Sequence, residues 1–218
     1  MAESKNTTKI LKPKLPKYLN EFELTKEAVS DYDTFSEVII KDVSLENHQA
    51  ESISLKETMF KNTILTNVSF DKCDLTDVIF ENCALSNVNF REASIHRVEF
   101  VNCKLVGLNL NEALLKNVTF KECSGQYALF RFADLKQIMF AHCNLRFSDF
   151  SESKFFKVEF NNTDLSQSQF YNTKLKDVDL TSCEIEGLAA RVEDVQGAVV
   201  TTAQAISLTS LLGIVIKG

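Results

Sequence analysis

From Leu55 to Ile185 every fifth residue is large and apolar, and Gly125 is the single break. The series begins Leu55, Phe60, Leu65, Phe70, Leu75, Phe80 and runs through Leu175, Leu180 and Ile185 without a slip of register. Two residues before each member sits a smaller one: Val68, Cys73, Val78, Cys83, Val88, Ala93. A helix cannot use this pattern, because five residues turn it by about 500° and would scatter the apolar positions over every face. A flat strand cannot use it either, because side chains alternate and an odd period throws Leu75 and Phe80 to opposite sides. The chain must therefore turn once in every five residues, with both apolar positions of each unit facing inward and Asp, Asn, Ser, Thr and Lys at the turns. Stacked units of this kind make a solenoid.

The number of sides follows from which residues stack. Positions 60 to 170 in steps of ten are Phe in eleven of twelve cases, with Leu110 the exception. Positions 55 to 175 in steps of ten are Leu or Ile in eleven of thirteen. Like residues stack on like only if each coil has an even number of sides, and four sides, or twenty residues per coil, fit best. Residues 35–190 then form nearly eight coils, a rod of roughly 38 Å at about 4.8 Å per coil.

Units such as CDLTD (residues 73–77), ADLKQ (133–137) and TDLSQ (163–167) resemble the consensus of the pentapeptide-repeat family. That resemblance implies an all-β fold, a right-handed quadrilateral β-helix. The domains expected are an N-terminal arm and cap over 1–34, the β-helix over 35–190, and a C-terminal helix and strand module over 191–218.

All six cysteines, at 73, 83, 103, 123, 143 and 183, take the inward small position, and five of them differ by multiples of twenty. Stacked strands about 4.8 Å apart hold parallel side chains too far apart for a disulfide, and a straight column cannot surround a tetrahedral ion. The thiols are therefore expected to be reduced, small hydrophobes, which points to the cytoplasm. No stretch reaches transmembrane length and no signal-peptide core opens the chain. The histidines, His48, His96 and His142, are scattered, with no phosphate loop or metal-ligand spacing, so no enzyme activity, cofactor, metal or small-molecule substrate is expected.

The net charge of −6 is unevenly spread: residues 1–30 carry +2 and residues 31–190 carry −8. Half of that −8 lies in residues 31–50, where Asp31, Asp33, Glu37, Asp42 and Glu46 face only Lys41. An acidic solenoid argues against direct nucleic-acid binding and favours a basic partner, including a protein whose own ligand is DNA. Residues 1–20 hold both prolines and five lysines and read as a flexible or extended arm. Residues 21–34 suit a short helix or cap over the first coil, which an open solenoid end needs.

Gly125 removes a core side chain, so either a neighbouring aromatic fills the gap or the coil kinks. Tyr127 and Phe147 lie twenty apart at an outward position and should stack, and Phe132 also falls outside the inward columns. Such aromatics either mark an interface or tuck back onto the rod. After Ala190 the period ends. Thr201 or Thr202 can cap a helix reaching about Leu212, Gly213 suits its end, and Ile214–Ile216 are strand-like. This terminus is either an end cap or a dimer module formed by Ala205, Leu208, Leu211, Leu212, Ile214 and Ile216.

The C-terminal run, with Gln204, Ala205, Leu208, Leu212, Gly213 and Ile214 in register, resembles the end of the Qnr proteins, and residues 123–135 resemble chromosomal members from Gram-positive bacteria. The resemblance implies a homodimer joined at its C-termini. It also implies binding to DNA gyrase and topoisomerase IV by mimicry of duplex DNA, with protection of both from quinolones. On that reading Asp31, Asp33, Glu37, Asp42, Glu46, Tyr127, Phe132 and Phe147 are the topoisomerase-binding candidates. The unbroken register leaves no room for the projecting loops of the plasmid-borne members. Two other functions fit the same chain: immunity against another gyrase poison, and a structural scaffold with no topoisomerase partner.

Overall fold

A computed structural model describes residues 9–215. Its chain winds into a parallel β-solenoid with a twenty-residue repeat. Two adjacent sides are covered by a continuous parallel sheet that bends at their shared corner, built from β1 (Asn20–Glu21), β2 (Thr34–Ser36), β3 (Val38–Lys41), β5 (Ser54–Lys61), β7 (Asp74–Glu81), β8 (Ser94–Val101), β9 (Leu114–Lys121), β10 (Asp134–Ala141) and β11 (Lys154–Asn161). β4 (Ser44–Glu46) and β6 (Ile64–Thr66) pair alone on the far side. There the later coils are joined by single bridges such as Ser124 to Asn144, and the fourth side is held by bridges such as Ser69 to Asn89. Seven successive coils, starting at residues 34, 54, 74, 94, 114, 134 and 154, supply the long face, and the rungs continue by bridges to Val199. The four-sided all-β solenoid read from the period is the fold observed.

The corners explain the period. Nearly every fifth residue has a positive φ, as at Asn62 (53°), Asn67 (53°), Asp77 (58°) and Asn82 (55°). This left-handed conformation turns the backbone, and short Asn and Asp side chains tolerate it best. Asparagines stacked at one corner also bond along the rod axis: Asn102 donates to Asn82 at 2.8 Å, Asn82 to Asn62 at 3.3 Å, and Asn62 to Asp42 at 2.9 Å.

Inside, the Phe register becomes ladders of rings. Phe80, Phe100 and Phe120 stack with centroids 4.9 and 4.8 Å apart and planes within 3°. Phe130 and Phe150 stack on the opposite side at 4.6 Å, and the two ladders meet edge to face, as Phe120 and Phe130 do at 6.2 Å and 87°. The six thiols are free and buried. Cys83, Cys103, Cys123 and Cys143 each donate to the carbonyl of the phenylalanine 23 residues earlier, at 3.3–3.5 Å. Thr163 stands in the same column and makes the same bond to Phe140 at 3.2 Å, so the column selects a small donor, not sulfur chemistry. Gly125 does not kink the coil. Its N–H keeps the ladder bond to Asn144 at 2.7 Å, and an added Cβ would meet Leu145 Cδ2 at 2.8 Å. The gap is filled by an aliphatic neighbour, not by the aromatic the sequence suggested.

The ends are closed differently. Leu24 and Val29, flanking a single turn at Lys26–Ala28, are buried over the first coil. At the other end α1 (Thr202–Leu208) runs into a tighter turn, Thr209–Leu212, and stops at Gly213 with φ 70°. Thr201 and Gln204 form a reciprocal capping box. Gln204 Nε2 also donates to the carbonyls of Leu180 and Cys183, both at 2.8 Å, which seats the helix on the last coils. Ile214 and Val215 carry no strand, contrary to the sequence reading, and Ile216 lies outside the described residues.

Candidate interaction surfaces

The first coil spreads its carboxylates around the rod. Asp33 and Glu37 bound one side, Asp42 stands at the next corner, and Glu46 lies on the side after that. Asp31 and Asp33 are occupied in the cap, accepting from the backbone N–H groups of Glu51 and Ser30, both at 2.7 Å. Asp42 accepts from Asn62, whereas among the described residues Glu46 is met by the Ser44 hydroxyl alone, at 3.1 Å. The exposed charges free to meet a partner are thus Glu37, Asp42 and Glu46 more than Asp31 and Asp33.

The aromatics do form a surface feature. Tyr127 and Phe147 stack with centroids 5.0 Å apart and planes 7° off parallel, and Tyr127 remains 56% exposed. The Arg146 guanidinium lies 5.4 Å from the Phe147 ring. Phe132, 55% exposed, stands at the next corner with Arg131 beside it at 5.6 Å. All three aromatics occupy corners, with φ of 61°, 60° and 59° at Tyr127, Phe132 and Phe147, where a bulky side chain is strained. Asn would sit there at lower cost, so these rings are held against the local preference of the backbone.

At the C-terminal tip, Leu208 and Leu211 pack against the core while Leu212 and Ile214 are 58% and 52% exposed. Ala205, Leu208, Leu211 and Leu212 line a groove of about 210 Å³ with Val192, Val195 and Val200. Below it, Asp194 is fully buried and accepts from Lys174 Nζ at 2.9 Å, Arg191 Nε at 3.0 Å and the Asn172 N–H at 2.9 Å. Burial opposes its charge, but these donors outweigh burial and hold its carboxyl well below the ordinary carboxylate range.

The arm was the part least legible in the sequence. Residues 9–19 form neither helix nor strand and bend once at Lys17–Tyr18, and they lie along one corner of the rod, running against the direction of coil growth. Gln137 Nε2 donates to the Lys9 carbonyl at 3.0 Å, the Leu11 N–H to Asn117 Oδ1 at 3.1 Å, the Lys14 N–H to Asp77 Oδ1 at 2.9 Å, and the Asn20 N–H to the Glu37 carbonyl at 2.9 Å. These partners are one corner column. Its buried members, Asp77 and Asn117, need a partner, and the arm backbone supplies it. Arg97 completes the set with a two-pronged ion pair to Asp77 at 2.5 and 2.6 Å. The signal that marked this seat was the run of polar side chains, Asp77, Arg97, Asn117 and Gln137, twenty apart.

Among the described residues no group of three or more His, Cys, Asp or Glu is placed to hold a metal ion. No helix among them is long and apolar enough to cross a membrane.

The family model described as the pentapeptide repeat region matches residues 73–150 and 129–189, more than half of the 218-residue chain. The chain belongs to the pentapeptide-repeat family. A second model, for the SV2A/B/C luminal domain, matches residues 23–110. No curated protein matches the chain at a significant level. Among solved structures it is similar to QnrB1, a plasmid-mediated fluoroquinolone resistance protein, at 18% identity and a TM-score of 0.44, covering 81% of this chain and 100% of that one. It is also similar to HetL from the cyanobacterium Nostoc, a pentapeptide-repeat protein involved in heterocyst differentiation regulation. There the identity is 16% and the TM-score 0.34, covering 78% of this chain and 87% of that one. A pentapeptide-repeat protein from the thylakoid lumen of Arabidopsis thaliana matches at 21% identity and a TM-score of 0.33, covering 52% of this chain and 72% of that one.

Proposed function

We propose that this protein binds the bacterial type II topoisomerases, DNA gyrase and topoisomerase IV, and protects them from quinolones, acting as a homodimeric acidic rod that occupies a DNA-binding groove. The observation that carries the reading is the C-terminal tip. A capping box and the Gln204 bridge fix a helix on the last coils, yet Leu212 and Ile214 stay open to solvent beside an apolar groove. A cap alone needs no such exposed face, whereas a second tip covers it with an isologous contact. The residues concerned are those of the Qnr-like motif. Joined tip to tip, two rods of roughly 38 Å give a length of about 75 Å for the groove to read.

The test is supercoiling by purified gyrase at a fixed inhibitory quinolone dose, titrated with this protein. Recovery of supercoiling is expected, weakening as salt rises toward 0.15 M because the encounter is partly electrostatic. Glu37→Gln, Asp42→Asn and Glu46→Gln together should reduce recovery, as should Tyr127→Ala with Phe147→Ala. No recovery at any concentration and no gyrase binding at low salt leave the scaffold. Recovery against a peptide poison and not against a quinolone selects the immunity reading.

A further inference from the structure

The acidity of this protein is not spread around the rod. Twenty-two Lys and Arg side chains lie within residues 9–215, and eleven of them are ion-paired with a described carboxylate. Of the eleven that are not, four are Lys9, Lys12, Lys14 and Lys17 of the docked arm, all exposed. Five more, Lys56, Lys116, Lys154, Lys157 and Lys176, lie on the side of the rod that ends at the arm's corner, and they too are exposed. Only Lys26 and Lys104 lie elsewhere. Between residues 53 and 177 this side, with the arm, carries twelve cations against five anions, a local charge of +7, while Asp33 and Glu37 lie on the same side before that stretch and Glu193 and Asp194 after it. The rest of the chain is left with −13.

Cations left unpaired on one line, in a protein with carboxylates to spare, are placed for an external anion. The line is straight. From Lys56 to Lys176 it spans six coil steps, roughly 29 Å at about 4.8 Å each. It follows a convex corner, not a plane, so it meets a rod-shaped polyanion along its length better than a flat lipid surface. Its exposed rings, Tyr18 and Phe156, each lie beside a lysine and do not stack on one another, so the ridge offers no run of aromatics to hold successive unstacked bases. We propose that this ridge binds the phosphate backbone of duplex DNA without reading sequence, and that the arm docks on the rod in order to complete it. The seat makes the arm's contribution possible: its bonds to Asp77, Asn117 and Gln137 use backbone groups of the arm, which leaves the lysine heads in water. This inference stands apart from the topoisomerase reading, since it concerns the opposite sign of charge and other side chains of the rod.

The experiment is fluorescence anisotropy of the full chain with a labelled duplex of about 20 base pairs, roughly twice the ridge length at 3.4 Å per pair. Binding is expected at low salt. The log–log salt slope should shrink by about 0.9 for each lysine in contact that is removed. Lys12→Gln with Lys116→Gln should weaken binding several-fold, while Lys26→Gln with Lys104→Gln, the same loss of charge off the ridge, should leave it unchanged. Circular dichroism of both pairs checks that the solenoid is intact. Absence of binding at about 20 mM salt, equal losses in the two pairs, or capture by phosphatidylserine vesicles in preference to the duplex would overturn the proposal. Failure of gyrase protection alone would not touch it.

Discussion

Replacing Phe100 by Ala tests the interior register most directly. Phe100 is fully buried and stacked between Phe80 at 4.9 Å and Phe120 at 4.8 Å. Truncating a buried Phe costs about 3–5 kcal/mol. Loss of two ring contacts, each worth about 0.5–1.5 kcal/mol beyond burial, places this site near the upper end. Position matters as well. A defect near a rod end is relieved by fraying of the terminal coil, but Phe100 is mid-rod, where coils on both sides hold the void open. The comparison is Phe132→Asn. That ring is 55% exposed at φ 60°, so removing it relieves about 1 kcal/mol of left-handed strain and loses about 0.5–1 kcal/mol of contact with Arg131. Its net effect should lie within about 1 kcal/mol of zero. Guanidinium denaturation followed by far-ultraviolet circular dichroism reads both, and the Phe100 variant should also melt about 10–20 °C lower. Equal midpoints for the two variants would refute the assignment of inward and corner columns.

Other outcomes follow from particular contacts. Leu208→Asp with Leu212→Asp should yield monomers that keep their β-helix, read by light scattering and circular dichroism; a wild type already monomeric would remove the dimer from the proposal. Cys83, Cys103, Cys123 and Cys143, each no more than 4% exposed, should label slowly with thiol reagents until denaturant is added. Burial also pushes the Cys73 and Cys183 thiols up, so raising the pH to 8.5 should leave these two slow as well. Asp194→Asn should cost about 2 kcal/mol, since hydrogen bonds to a charged acceptor are lost. The Asp194 carboxyl is depressed in the fold, so its stabilisation is complete above the unfolded value near 3.8 and is lost only as pH falls below that value. The variant should therefore show a flatter acid limb in a melting-temperature titration.

How much of this was legible depends on where the information sits. The repeat specifies the solenoid because each inward Leu or Phe reports the same fact, and one exception such as Gly125 is outvoted. The C-terminal helix was readable because Thr201, Gln204 and Gly213 act through local backbone bonds. The seat of the arm was not, because it joins Leu11 to Asn117 and Lys14 to Asp77 across 106 and 63 residues, and an extended segment has no periodicity to betray its partner. The strand expected at Ile214 failed for a related reason: β-branched residues favour a strand only where another strand offers its edge. Net charge is informative in a more limited way. It fixes the sum of charge, not its distribution, and here a sum of −6 hides a +7 ridge.

That distribution constrains the topoisomerase proposal itself. Duplex DNA carries one charge per about 1.7 Å, roughly 22 over the length of the rod, which the chain's total charge does not approach. With the ridge set aside, the rest of the chain carries −13, a closer match but one that holds only in certain orientations. A rod entering a basic groove must turn its ridge outward, because like charges facing each other at close range repel. Removing the arm's charge should therefore act in opposite directions on the two proposed partners. Lys9, Lys12, Lys14 and Lys17 changed together to Gln should weaken duplex binding. The same variant should strengthen gyrase binding by about two- to tenfold at low salt, through faster association of a rod no longer repelled in half its approaches. The measurement is surface plasmon resonance of wild type and variant over immobilised gyrase, with association and dissociation rates resolved. A fall in gyrase affinity would mean that the arm itself touches the enzyme and that the acidic sides do not face the groove.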